Sequence, residues 1–253
     1  MRAKNWQKPL PWLVVAALLV LWEVCVRVFD VPLYVLPGPI DVIEALCTDL
    51  ATLLSHALVT SSEAVLGMLI ALVFGLLLGV AMDAFPVVRR CVYPILVVTQ
   101  TVPMIVLAPI LIIYLGFGMA PKILTVVLMC FFPIAVNFTD GMSQVDRGYV
   151  DLVRSYGASR VQIYALVKLP AALPPLFSGL RVAATYSISG AVVGEWIGSM
   201  SGLGYYILRV KESYMLDKVF ACVVVIVILS LLMNGLVRLC QYIFLPFLRR
   251  AKG

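Results

Sequence analysis

Residues 57–82 read ALVTSSEAVLGMLIALVFGLLLGVAM, an apolar run with no Lys or Arg in it. A helix of about 20 apolar residues crosses the hydrocarbon core of a bilayer, so this run predicts a membrane-spanning helix. Five more runs follow the same rule: residues 10–29, 92–115, 121–138, 173–197 and 220–245. Backbone amides in lipid must be satisfied within their own segment, which favours helices. The alternating polarity of a membrane barrel is absent. The expected fold is all-α, a single polytopic domain over residues 1–253 with six transmembrane helices. Pro103 and Pro109 are expected to bend the third span. Gly67, Gly75 and Gly79 give the second span a small-residue face for close packing.

Composition agrees. Of the 253 residues 63% are hydrophobic and 13% charged, whereas a soluble domain is about half apolar and about a quarter charged. The net charge of +6 does not indicate nucleic acid, because the basic residues form no long run and no face interleaved with aromatics. They sit in short gaps between apolar runs. With the N-terminus inside, the inner segments hold 12 Lys and Arg and the outer segments 4. The positive-inside rule then places both termini in the cytoplasm of a multi-pass cell-membrane protein. The first run follows Arg2, Lys4 and Lys8 with no small-residue cleavage site after it, so it reads as a retained helix and not a removed signal.

No soluble-enzyme constellation emerges. The six cysteines form no CxxC pair, and His56 is the only histidine, so no metal site is expected. There is no Gly-x4-Gly-Lys-Ser/Thr loop to cradle a nucleotide. Glu23 and Arg27, spaced i, i+4, are expected to neutralise each other. After Leu36-Pro37-Gly38-Pro39, a turn signal, residues 40–54 suit a short amphipathic helix.

The most ordered pattern between spans covers residues 139–172. Residues 146–156 suit a short helix with Val145, Tyr149, Leu152 and Val153 on one apolar face. Gly157 stands at its C-terminal cap. Ser159 can cap a second helix, residues 160–169, expected to stop at Pro170. The result would be a compact knob on the inner side.

This segment resembles the signature loop of binding-protein-dependent ABC importer permeases. The family pattern is Glu-Ala-Ala, three residues, Gly, nine residues, Ile-x-Leu-Pro. Here it reads Asp151-Leu152-Val153, three residues, Gly157, nine residues, Val167-Lys168-Leu169-Pro170. The glycine, the proline and the spacing match; the Glu-Ala-Ala triplet keeps only its acidic first residue. Tyr114-Leu115-Gly116-Phe117-Gly118 and Phe131-Phe132-Pro133-Ile134 also resemble the family. Gly194-Glu195-Trp196-Ile197-Gly198 and Ser201-Gly202-Leu203-Gly204-Tyr205 are similar to its nitrate, sulfonate, taurine and pyrimidine-precursor branch.

The resemblance implies a type I importer fold, two permease copies forming a homodimer, and two ATPase subunits docked on the inner knob. It also implies an extracytoplasmic solute-binding protein. ATP and Mg would belong to the ATPases, and this chain would carry no cofactor and catalyse no reaction. Contact with the ATPase falls to Tyr149, Asp151, Leu152, Arg154, Ser155, Tyr156, Gly157, Ala158, Ser159 and Arg160. Gln100, Thr101, Met104, Asn137, Ser187, Glu195 and Trp196 are the candidates for the translocation pathway, since polar groups in spans face protein or water. For Ser187 a bond to its own helix is the alternative, for Met104 packing, and for Trp196 an interfacial anchor. The outer motif suggests a small heteroaromatic substrate such as a thiamine-precursor pyrimidine, with sulfonate, taurine or nitrate as alternatives. A secondary transporter or channel is the alternative class, against which stands the lack of internal repeats.

Overall fold

The computed structural model describes residues 10–245. Its helices are α1 Leu10–Val28, α2 Pro39–Thr48, α3 Leu50–Ala84, α4 Pro86–Thr99, α5 Met104–Leu115, α6 Met119–Ser143 and α7 Arg147–Ser155. After these come α8 Arg160–Ile163, a π turn Tyr164–Lys168, α9 Leu169–Glu195, α10 Leu203–Glu212 and α11 Leu216–Phe244. The described residues are helical nearly throughout, as the apolar runs require.

Five continuous helical stretches are long and apolar enough to span a membrane, beginning at Leu10, Leu50, Met119, Arg160 and Leu216. α4 and α5 together are apolar enough for a sixth passage, as a broken span or a re-entrant loop, and here the expectation of one bent span needs correction. The two helices meet at 104° across a break at residues 100–103. Pro103 forces the preceding residue out of the helical region and serves as the N-cap of α5, whereas Pro109 lies inside α5 without breaking it.

The body is built on α6, which packs against α9 and α3 more closely than any other helices pack. Small residues allow the approach. A Cβ at Gly75 would stand 2.8 Å from Ile134 Cγ2, and one at Gly79 would stand 2.7 Å from the Phe138 ring. The expected small face of the second span is therefore the seam between α3 and α6. Ala64, Ala71, Val126, Cys130, Ile134, Ala183, Ala184 and Ile188 are fully enclosed there. Elsewhere the surface is broadly apolar: Leu18, Phe74, Ile113 and Leu231 are all exposed, as lipid-facing side chains are.

α3 has 35 residues, about 52 Å at 1.5 Å per residue, against a hydrocarbon core of about 30 Å. It therefore overshoots the membrane. Its first turns join α2 and α10 in a separate apolar cluster that includes Val42, Leu53, Leu203 and Tyr206. α1 is tied to this end by ions: Arg27 reaches Glu23 and Asp41, each at 2.8 Å. The expected Glu23–Arg27 pair is present, with Asp41 as a third member.

The second helix after Gly157 does not stop at Pro170. α8, the π turn and α9 run on as one stretch, Arg160–Glu195. Pro170 directly follows the π turn, whose widened ladder, with Leu169 N donating to Tyr164 O, accommodates the amide that proline lacks.

Candidate coupling surface and outer polar cluster

α7 stands at the end of the molecule where α3 and α6 finish and α4 and α9 begin. Asp146 caps it by accepting from Gly148 N at 2.7 Å. At its C-terminus Ala158 N donates to Val153 O (3.3 Å) and Gly157 N to Arg154 O (2.9 Å). This paired pattern is a Schellman cap, and Gly157 takes the left-handed φ of +83° that it requires. Ser159 then opens α8 with a capping box: its hydroxyl accepts from Gln162 N, and Gln162 Oε1 accepts from Ser159 N. Both turns are thus fixed by local chemistry.

The single apolar face expected for α7 divides in two. Val145, Val150, Val153 and Ala158 are half-buried, whereas Tyr149, Leu152 and Tyr156 are exposed, Tyr156 to 84%. The division follows from helix geometry, because Tyr149, Leu152 and Tyr156 are spaced three and four apart and share the outward stripe. Asp151 and Arg154 pair at 3.1 Å beside it, in the open. Ser155 donates to Leu152 O, and Arg160 is exposed at the start of α8. All ten residues expected at the docking surface lie on or beside this one element.

Behind α7 is a cleft of about 410 Å³ lined by Asp83, Arg89, Met142, Val150, Arg154 and Lys168, among others. Two ion pairs border it: Arg89 with Asp140 at 3.0 Å and Lys168 with Asp83 at 2.5 Å.

The pathway candidates are not brought together. Gln100, Thr101 and Met104 lie at the α4–α5 break. Asn137 is half-buried mid-way along α6, donating to Pro133 O at 2.7 Å. Ser187 is 0% exposed and bonds to Ala184 O. Glu195, 1% exposed, is at the opposite end with Trp196. A residue lining a pathway needs accessible surface, and in this structure Ser187 and Glu195 have none.

Glu195 instead ties the outer segment together. Its Oε1 accepts from Thr60 Oγ1 at 2.7 Å and its Oε2 from Gly204 N at 2.6 Å. Thr60 Oγ1 accepts from Leu203 N, and His56 Nδ1 from Gly202 N. The first amides of α10, orphaned in any helix, are therefore satisfied by α3 and α9 side chains. Alongside, Lys122 Nζ bonds Glu63 Oε1 at 2.8 Å, with Glu63 fully buried. Gly202 takes φ +104° hard against the Glu195 carboxyl, so the glycines of both motifs are sites of close approach. At the rim, Asp49 Oδ2 accepts from Lys218 Nζ (2.6 Å) and the Tyr206 hydroxyl (2.8 Å). The Lys218 bond, joined by that of Tyr206, holds the Asp49 carboxyl below its ordinary value despite partial burial.

Sequence reasoning did not single out Glu63, Thr60, Asp83 or Tyr164. The available signal was a charged residue inside or just at the end of an apolar run, which applies to Glu63 and Asp83. Thr60 and Tyr164 gave no such signal, because their partners are 135 and 81 residues away in sequence.

Comparison with known proteins fits this architecture. Residues 71–250 match the model of the family described as binding-protein-dependent transport system inner membrane component. A probable ABC transporter permease protein of Haemophilus influenzae is 36% identical, covering 87% of this chain and 90% of its own. The formylaminopyrimidine transport permease protein ThiX of Halalkalibacterium halodurans is 34% identical over 98% of this chain and 99% of its own. The taurine transport system permease protein TauC of Escherichia coli is 32% identical, covering 91% and 86%. Among solved structures, an amino acid ABC transporter shares the fold at a TM-score of 0.64 with 15% identity, over 78% of this chain and 96% of that one. The chain is an ABC importer permease and belongs to the family of binding-protein-dependent transport system inner membrane components.

Proposed function

We propose that two copies of this chain form the translocation pathway of an ATP-driven importer, with one ATPase subunit docked on the α7 element of each. The observation that carries this is α7 itself: a short helix locked at both ends, presenting Tyr149, Leu152 and Tyr156 outward and uncovered by the other described residues. A solvated helix does not otherwise keep three large apolar side chains on one exposed stripe. ATP and Mg reside in the ATPase, and closure of the ATPases displaces α7 toward the cleft behind it. The α7 end is cytoplasmic, since Arg89, Arg90, Arg147, Arg154, Arg160 and Lys168 gather there; the count of Lys and Arg assigns both termini, outside the described residues, to that side as well. The α2–α10 end faces outward and receives substrate from an extracytoplasmic binding protein.

The substrate is a small heteroaromatic nutrient of the thiamine-precursor pyrimidine kind. The formylaminopyrimidine permease matches over nearly the whole chain, and the polar groups at the α4–α5 break, Thr99, Gln100 and Thr101, are uncharged hydrogen-bonding partners. The taurine relative supports an anionic substrate as a second reading.

Cross-linking tests the docking. A cysteine replacing Ser155 joins the ATPase subunit in the assembled complex under oxidising conditions, when a matching cysteine is placed in the ATPase groove. Failure to cross-link, with the complex intact, rejects α7 as the port. Uptake of radiolabelled formylaminopyrimidine against radiolabelled taurine, each with the cognate binding protein, decides the substrate.

A further inference from the structure

Beyond Ser159 the chain passes from the exposed α7 element into the buried body without a loop. It does so through α8, the π turn Tyr164–Lys168 and then α9. A π turn is wider than an α turn, is rare, and occurs mostly at functional sites. Left alone, it would be the soft joint in this connection.

The structure clamps that joint. The Tyr164 hydroxyl donates to Asp83 Oδ2 at 2.6 Å, and Lys168 Nζ donates to the same oxygen at 2.5 Å. The Lys168 ammonium also lies 5.0 Å from the centre of the Tyr164 ring. Tyr164 and Lys168 are the first and last residues of the turn, so both its ends are held by one carboxylate. Asp83 sits in the last turn of α3, and its side chain is 4% exposed. A carboxylate accepting two bonds, one from a cation, away from bulk water is a stiff link. Asp83 and Lys168 line the same cleft as Val150, Asp151 and Arg154 of α7. α7 therefore has room behind it, and its route into α9 runs through the clamped turn.

We infer that Asp83, Tyr164 and Lys168 are positioning residues for coupling. They stiffen the π turn so that displacement of α7 reaches α9 and is not absorbed in the turn. This rests on the reading of α7 as the ATPase port. α9 is the suitable receiver, because it packs against α3, α6 and α11 and a rigid-body shift in it must move all three.

The experiment uses the complete complex of permease, ATPase and binding protein in vesicles, with radiolabelled formylaminopyrimidine, or taurine if that is what the wild type takes up. Asp83→Asn is expected to assemble normally and to keep its ATP hydrolysis within about twofold. The substrate moved per ATP falls about tenfold, within the usual range of coupling between sites. Tyr164→Phe, which leaves the ion pair in place, gives a smaller fall. Exchange of the charges in Asp83→Lys with Lys168→Asp restores part of the ratio. An unchanged ratio in Asp83→Asn overturns the inference, as does a proportional loss of hydrolysis and transport in all variants, which marks a purely structural contact. If Asp83→Asn fails to accumulate, the ratio in Tyr164→Phe decides by the same criteria. The Ser155 cross-link separates the two readings: its absence sinks the docking, whereas a cross-link with an unchanged ratio sinks only the clamp.

Discussion

Lys122 bonds directly to the buried carboxylate of Glu63. The Lys122 ammonium is the cation bonded to Glu63, and the Glu195 carboxyl is a further polar neighbour. Lys122→Met is therefore expected to destabilise the protein by about 3–5 kcal/mol, the usual effect of orphaning one buried charge. The double variant with Glu63→Gln should lose less, because the uncompensated charge is gone. Thermal unfolding of the purified protein in detergent compares the two, and equal losses would mean that the charges are not coupled. Glu195→Ala strands the Gly204 amide, while the Thr60 hydroxyl keeps His56 O as an acceptor, and should cost about 1–3 kcal/mol by the same assay. At the rim, Asp49 gives a pH signature. Its carboxyl titrates below the ordinary value of 3.8, chiefly through the Lys218 bond. A lowered folded value means stabilisation that is complete above that ordinary value and lost as pH falls through the folded one. The stability difference between the wild type and Asp49→Asn should thus be constant from neutral pH to about pH 5 and shrink in stronger acid. A difference that grows on acidification would contradict the geometry. None of these contacts was visible in the chain order, because hydrogen bonds between residues 59 or 157 positions apart leave no periodic trace.

Elements were more legible than their joints. Five of the six apolar runs became single helices and 92–115 became two, because lipid leaves the backbone no alternative. The Gly157 turn was readable because one position carries a geometric requirement that glycine meets at no cost. Two joints misled for physical reasons. The run 92–115 is apolar on both sides of Gln100, and hydropathy does not register a change of direction. Pro170 signals a stop in a regular α-helix, and here the π turn just before it absorbs the missing amide. Gly157 also supplies the prediction at this scale. Its φ of +83° costs a side-chain-bearing residue about 1–2 kcal/mol, and more for a β-branched one. Since a Cβ there would meet nothing within 4 Å, Gly157→Val should fold but release the cap of α7. Transport and substrate-stimulated ATP hydrolysis should both fall severalfold while the permease still reaches the membrane. If both activities persist, a rigid α7 is not what the ATPase engages.

At the scale of the molecule, polar contacts fasten the two ends of the packed α3, α6 and α9 body. The outer end is held by Glu195, Thr60, His56 and Asp49, and the inner end by Asp83 with Lys168 and Asp140 with Arg89. Between them, α4 and α5 make far fewer contacts with the body than α6 and α9 do with each other, and the break between them exposes Gln100 and Thr101. A polar, exposed break in an apolar span is tolerated only where it faces protein or water, and the described residues leave it uncovered. In the assembled transporter the break should therefore face the water-filled path. A cysteine at Gln100 should react with a membrane-impermeant thiol reagent in membranes, once the exposed Cys25, Cys47, Cys91 and Cys240 have been replaced by serine. Trapping the ATPases in their closed state should change the rate. A cysteine at Ser187, enclosed between α9 and its neighbours, should stay unreactive in both states. Labelling at position 187 and protection at position 100 would move the path off the α4–α5 break and into the seam around α9, and the fixed core would then be the part that opens.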